Sequence, residues 1–179
     1  VYLFVAALPF SRYAFVEPTL DMRQDTWLRA HVAMFDAFGG TTPRIVPDNL
    51  KTGVIAHPRE GEVVLNDAYR ELAAHYSAAV LPGRVKMPKD KASVEGTVGN
   101  IATAVIAALR HESFATLADL RAAIYERVGV FNAQPFQKRA GSRLSVFVAE
   151  ERPLLRPLPA VPYEIATWVY GRRVQKNGH

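Results

Sequence analysis

Arg44-Ile45-Val46-Pro47-Asp48-Asn49-Leu50-Lys51 places an acid directly after a short apolar run. Arg44–Val46 reads as a brief strand. Pro47 lacks the N–H that a strand ladder needs, so the strand stops there. Asp48 is the first residue beyond it. A second acid, Glu95, follows Lys89-Asp90-Lys91-Ala92-Ser93-Val94, in the first turns of a helix expected over roughly 90–110. A carboxylate at a strand end and another on a later helix can meet at one metal site. Hard cations such as Mg²⁺ take oxygen ligands of this kind, usually one or two carboxylates plus substrate phosphates. Each acid also has a plainer reading. Asp48 can close an Asx turn with Asn49, and Glu95 can be a solvated helical residue.

Outward from these stretches, strands and helices alternate. Residues 1–8 form a continuous apolar run, as a central strand covered on both faces would. Pro9-Phe10-Ser11-Arg12 supplies a turn, and Tyr13–Glu17 a second strand stopped by Pro18. Trp27, Ala30, Met34, Phe35 and Phe38 share one face of a helix over 25–38, closed by Gly39-Gly40. Residues 51–65 hold Gly53, Pro58 and Gly61 among polar residues and read as a loop. Asn66 caps a helix over 67–76, and Ala78–Leu81 is a fourth short strand. On the 90–110 helix, Val94, Val98, Ile101, Val105 and Ala108 form the expected buried stripe. Gly96 and Gly99 weaken that helix and are either tolerated surface residues or points of close approach for a sheet or DNA. Thr116 and Asp119 have capping-box spacing, ahead of an apolar stripe from Leu117 to Phe131. A helix can start at Gly141-Ser142. The pattern is β-β-α-β-α-β-α-α, an α/β layered domain.

A chain of 179 residues, 49% hydrophobic and 22% charged, can bury one core. The expected division is a core over 1–150 and, over 151–179, a proline-rich linker opening into a further small module. The net charge of +5 suits an anionic partner without specifying an activity. With no cysteine, a disulfide framework and Cys-ligated zinc are excluded. The five histidines show no zinc-ligand spacing; His75, at a helix end, reads as structural. Trp27, Phe35 and Phe38 read as core packing rather than as a base-stacking platform. No Walker-type glycine loop is present, and no apolar run is long enough for a membrane span.

Four motifs, Pro47-Asp48-Asn49-Leu50-Lys51, Leu72-Ala73-Ala74-His75-Tyr76, Lys89-Asp90-Lys91 leading to Val94-Glu95, and Asn132-Ala133-Gln134-Pro135-Phe136, occur in an order and spacing that resembles a known family. Over about residues 1–160 the chain resembles the retroviral-integrase superfamily, and more narrowly the IstA-type transposases of bacterial insertion sequences. The resemblance implies a ribonuclease-H-like mixed sheet flanked by helices. It also implies a triad of two Asp and one Glu, in which Asp48 is the second Asp and Glu95 the Glu. The first Asp would lie on a strand preceding Val1, so the fold is expected to lack its first strand and residues 1–179 alone to be inactive. Asp21 and Asp25 follow the second hairpin strand and do not replace it.

The implied activity is 3′-end processing and strand transfer of an insertion sequence, without a covalent protein–DNA bond, using two Mg²⁺ (or Mn²⁺) ions. The implied partners are transposon-end and target DNA, further copies of the chain and an AAA+ ATPase helper, in the bacterial cytoplasm and not at a membrane. Asn49, Lys51, Lys89 and Lys91 stand beside the acids and are candidate DNA-phosphate contacts. Lys91, four residues before Glu95, can equally form an exposed helical ion pair. For Arg84, Lys86, Arg172 and Arg173, solvated charge is an equally good reading. Two rivals remain: a non-catalytic DNA-binding or assembly module, and a ribonuclease-H-type nuclease that cuts without joining.

Overall fold

The computed structural model describes residues 1–47, 54–56, 64–81, 96 and 98–165. Strands β1 (Tyr2–Ala7) and β2 (Ala14–Thr19) form an antiparallel hairpin, with Tyr2 opposite Thr19 and Ala7 opposite Ala14. β2 therefore runs through Pro18 rather than stopping before it. The register explains why. Ala14 turns its N–H and C=O away from β1, onto the Asn132 side chain (3.0 and 2.8 Å). Residues 14, 16 and 18 share that orientation, so the N–H that proline lacks is one that β1 never needed.

The hairpin carries helices on both faces. Phe15, with Phe4 and Ala6, packs toward α1 (Gln24–Phe38) and α2 (Asp67–His75). Ala14 and Val16, with Leu3 and Val5, pack toward α3, described over 98–109, and α4 (Leu117–Ala133). This is the strand alternation that puts successive side chains on opposite faces. β1 is less enclosed than its apolar run predicts: Tyr2 is 51% exposed and residues 3–7 are half-buried. The edge of β1 away from β2 pairs with no strand among the described residues.

α1 buries Trp27, Leu28, Ala30, His31, Met34, Phe35 and Phe38, and ends at Gly39 in the left-handed conformation (φ 71°). Full burial of a side chain such as Leu28 or Phe35 contributes roughly 1.5–3 kcal/mol. β3 (Arg44–Ile45) follows and pairs in parallel with β6 (Ala79–Val80). Within the span read as a loop, β4 (Val54–Ala56) and β5 (Val64–Leu65) form a small bulged antiparallel pair. Two or three apolar residues between polar neighbours are too few to show a strand period in sequence. α2 is capped by the Asn66 side chain, which accepts from the Ala68 N–H at 3.0 Å.

On α3 the buried residues are Ile101, Val105 and Leu109; Val98 and Ala108, placed on the stripe by a regular helical period, are exposed. The segment Ala102–Ile106 is π-helical. Its wider turn keeps residues four apart in register, where a regular helix would rotate them away. Gly96 and Gly99 face open space and are surface glycines. The Thr116–Asp119 capping box forms at the start of α4, and Ser142 caps α5 (Arg143–Val146). The chain continues through a π-helical turn, Phe147–Glu151, and a 3₁₀ turn, Arg152–Leu154.

Residues 151–165 lie against the core. Glu151 accepts from the N–H groups of Phe10 and Ser11 (3.0 and 3.2 Å). Arg156 exchanges backbone hydrogen bonds with Thr41 (2.9 and 3.0 Å). The His75 ring nitrogen Nε2 meets the Val161 carbonyl at 3.0 Å, and the Tyr163 hydroxyl donates to the Ala68 carbonyl at 3.2 Å. No helix among the described residues is long and apolar enough to cross a membrane.

Candidate functional site

The β3–β6 pair is the platform that leads to Asp48. Its ladder runs from Ala79 N–H on Pro43 O (3.0 Å) to Leu81 N–H on Ile45 O (2.8 Å). Past it the chain reaches the surface: Val46 is 63% exposed and Pro47 half-buried. Gly96, which follows Glu95 in sequence, is exposed. Asp48, Asn49, Lys51, Lys89, Lys91 and Glu95 themselves lie outside the described residues.

Tyr13, just past the β1–β2 turn, stacks on Phe147 and lies 6.1 Å from the ring of Phe38, at the end of α1. The turn and the C-terminal end of α1 therefore share one end of the domain.

Among the described residues no group of three His, Cys, Asp or Glu side chains can hold a metal ion. Asp21 receives the Arg23 N–H at 3.0 Å. A hydrogen bond from Thr26, and then that backbone contact, hold its carboxyl below the usual aspartate range. Asp25 sits 4.0 Å from Arg29 on the first turn of α1. Both acids are engaged locally. His75 takes the structural role read for it.

Three polar groups escaped the sequence reading. Glu17 on β2 is 7% exposed; it accepts from Arg121 Nε at 2.7 Å and from the Tyr125 hydroxyl. Burial, and then this carboxylate, push the Tyr125 phenol up. The trio borders a cleft of about 450 Å³ between β2, α1 and α4, with Asp21, Thr26 and Arg29 on its wall. His31 is buried among Phe4, Trp27 and Tyr69, and burial pushes its imidazole down to about 4. Asn132 is buried where it clamps Ala14. Its motif was visible in sequence, but not its partner 118 positions away.

The chain covers 85% of its length on the catalytic core domain of BIV integrase, with a TM-score of 0.65 at 12% identity, and 88% of that domain is matched. The HTLV-2 integrase catalytic core domain, solved in a dimeric form in complex with magnesium, matches 81% of the chain and 83% of its own, with a TM-score of 0.59 at 16% identity. The fold is that of a retroviral integrase catalytic core. The expected ribonuclease-H-like α/β architecture is thereby met. In sequence, the chain is 40% identical over 167 residues, 93% of its length, to the "Putative transposase for insertion sequence IS1162" of Pseudomonas fluorescens. It is 38% identical over 167 residues to the corresponding protein for insertion sequence IS408 of Burkholderia multivorans. The chain spans 30% and 32% of the lengths of these two relatives. No protein-family model matches it.

Proposed function

We propose that the chain is part of the catalytic core of an insertion-sequence transposase, which processes transposon 3′ ends and joins them to target DNA. The observation that carries this reading is the 40% identity to the IS1162 protein across 93% of the chain. The integrase-core fold, with β3 ending at Ile45 on the way to Asp48, agrees with it.

Asp48 and Glu95 are the residues of this chain that would hold divalent metal. Their carboxylate oxygens are the donors that Mg²⁺ or Mn²⁺ takes, and the HTLV-2 core carries magnesium. Bound metal supplies Lewis-acid stabilisation of the phosphoryl oxygens and of the attacking hydroxyl. A third carboxylate, on a strand laid along the edge of β1 that pairs with no strand among the described residues, would complete the set. Asn49, Lys51, Lys89 and Lys91 hold the DNA phosphates beside the acids, and so fix the scissile bond relative to the nucleophile. The working protein is a multimer.

The test is strand transfer by the parent protein with transposon-end DNA and Mg²⁺ or Mn²⁺. Asp48→Asn and Glu95→Gln should each lower joining by more than the roughly 10–100-fold that loss of an outer-shell partner costs. DNA binding should persist, and a chelator should stop the reaction. Full joining by either variant, or robust joining by residues 1–179 alone, refutes the assignment. Nicking without joining would make the protein a nuclease.

A further inference from the structure

The β1–β2 turn and the residues that follow α4 carry a cluster of arginines held on phenyl rings. Arg139 lies 3.9 Å over Phe136 and 5.9 Å from the Phe10 ring, and its Nη2 reaches the Phe10 carbonyl at 3.4 Å. Arg143 lies 3.9 Å over Phe131 and 5.6 Å from Phe136, and its Nη1 donates to the Phe131 carbonyl at 3.2 Å. Its Nε is buried without a partner. Arg12 stands in the β1–β2 turn in the left-handed conformation (φ 59°). The charges of Arg12 and Arg139 reach Arg143: after burial, they are what hold its guanidinium below the usual arginine value. Lys138 adds a further exposed cation.

These cations have no carboxylate within ion-pair distance among the described residues. Glu151 is the acid that reaches the same turn, and the Phe10 and Ser11 N–H groups engage its two oxygens. A compact group of like charges with no carboxylate in ion-pair contact costs stability unless an anion joins it. Stacking on phenyl rings fixes the guanidinium planes before any ligand arrives, which lowers the entropy lost on binding. Planar forks of this kind match phosphate oxygens two bonds at a time.

We propose that the Arg12–Lys138–Arg139 surface, braced by Arg143 on Phe131 and Phe136, binds a DNA phosphate backbone. The choice of DNA rests on the transposase reading above. This surface gives a role to the Asn132-Ala133-Gln134-Pro135-Phe136 motif. Asn132 clamps β2, and Phe136 supplies the ring on which Arg139 rests.

The test is titration of residues 1–179 with a fluorescent DNA duplex at several salt concentrations. It compares wild type, an Arg12→Gln/Lys138→Gln/Arg139→Gln variant and a Lys89→Gln/Lys91→Gln variant. The first three positions are exposed, and an unchanged melting temperature shows that the fold is kept. Each lost phosphate contact lowers the salt slope by about 0.9. The triple variant should lower it by about 2–3 and weaken binding at least about tenfold at 0.1 M salt. If the triple variant binds as wild type while the lysine variant weakens, the surface is not a DNA site and the transposase reading stands. If wild type binds no DNA, both fail. If DNA titration is unchanged but binding of poly-aspartate is lost, the surface takes an acidic protein and the proposal fails.

Discussion

His31 should make the fold acid-sensitive in a window set by its burial. The ring is 3% exposed, and its Nδ1 lies 3.0 Å from the Trp27 carbonyl, to which it donates. That fixes the neutral tautomer, with Nε2 unprotonated among Phe4, Trp27 and Tyr69. Its value in the fold is about 4; in the unfolded chain it returns to about 6.5. The unfolded state therefore binds the extra proton first. Stability is complete above pH 6.5 and is lost as pH falls from there toward 4. Between pH 7 and pH 5 the loss is about 2 kcal/mol, from 1.36 kcal/mol per pKa unit. Urea denaturation of wild type and His31→Phe at both pH values isolates this contribution, because every other titrating group is common to both proteins. Wild type should lose about 2 kcal/mol more than His31→Phe between the two. Equal pH dependence of the two proteins would refute the claim that His31 is buried neutral.

Asn132→Leu strips the Ala14 N–H and carbonyl of their partner in a buried setting, and should cost about 2–4 kcal/mol in denaturant unfolding. Gly40→Ala would set a Cβ 2.8 Å from the Arg156 carbonyl and from Leu155 Cβ. It should lift the 151–165 segment, read as faster amide exchange at Thr41 and Arg156, for a cost of about 1–3 kcal/mol. Glu17→Gln removes the charge that Arg121 pairs with. It should bring the Tyr125 phenol down toward its ordinary value in a spectrophotometric titration, because Glu17 is one of the causes that raise it.

Much of the fold could be read locally. The Asn66 and Thr116 caps, the Gly39 stop and the α1 stripe each depend on residues within a turn of one another, so sequence spacing displays them. Pro18 misled because its missing N–H matters only if that N–H faces β1, and register decides that. Val98 and Ala108 misled because a π-helical turn changes the period. β4 and β5 are too short to show alternation. Of the candidate site, the short strand ahead of Asp48 was legible and is β3, while Asp48 and Glu95 lie outside the described residues. Glu17 with Arg121, Asn132 with Ala14 and Glu151 with the Phe10 turn join positions more than a hundred residues apart, and no local pattern encodes such pairs.

The docking of residues 151–165 determines how the domain bears load. Tension applied to the chain beyond Ile165 meets Tyr163 on the Ala68 carbonyl first, then Val161 on His75, then Arg156 on Thr41 and Ser77. Force thus enters at α2 and the strand platform that leads to Asp48, before it reaches α5. A pull from residues past 165 would be felt at α2 and at the start of the β3–β6 pair before it reached the hairpin turn through Glu151.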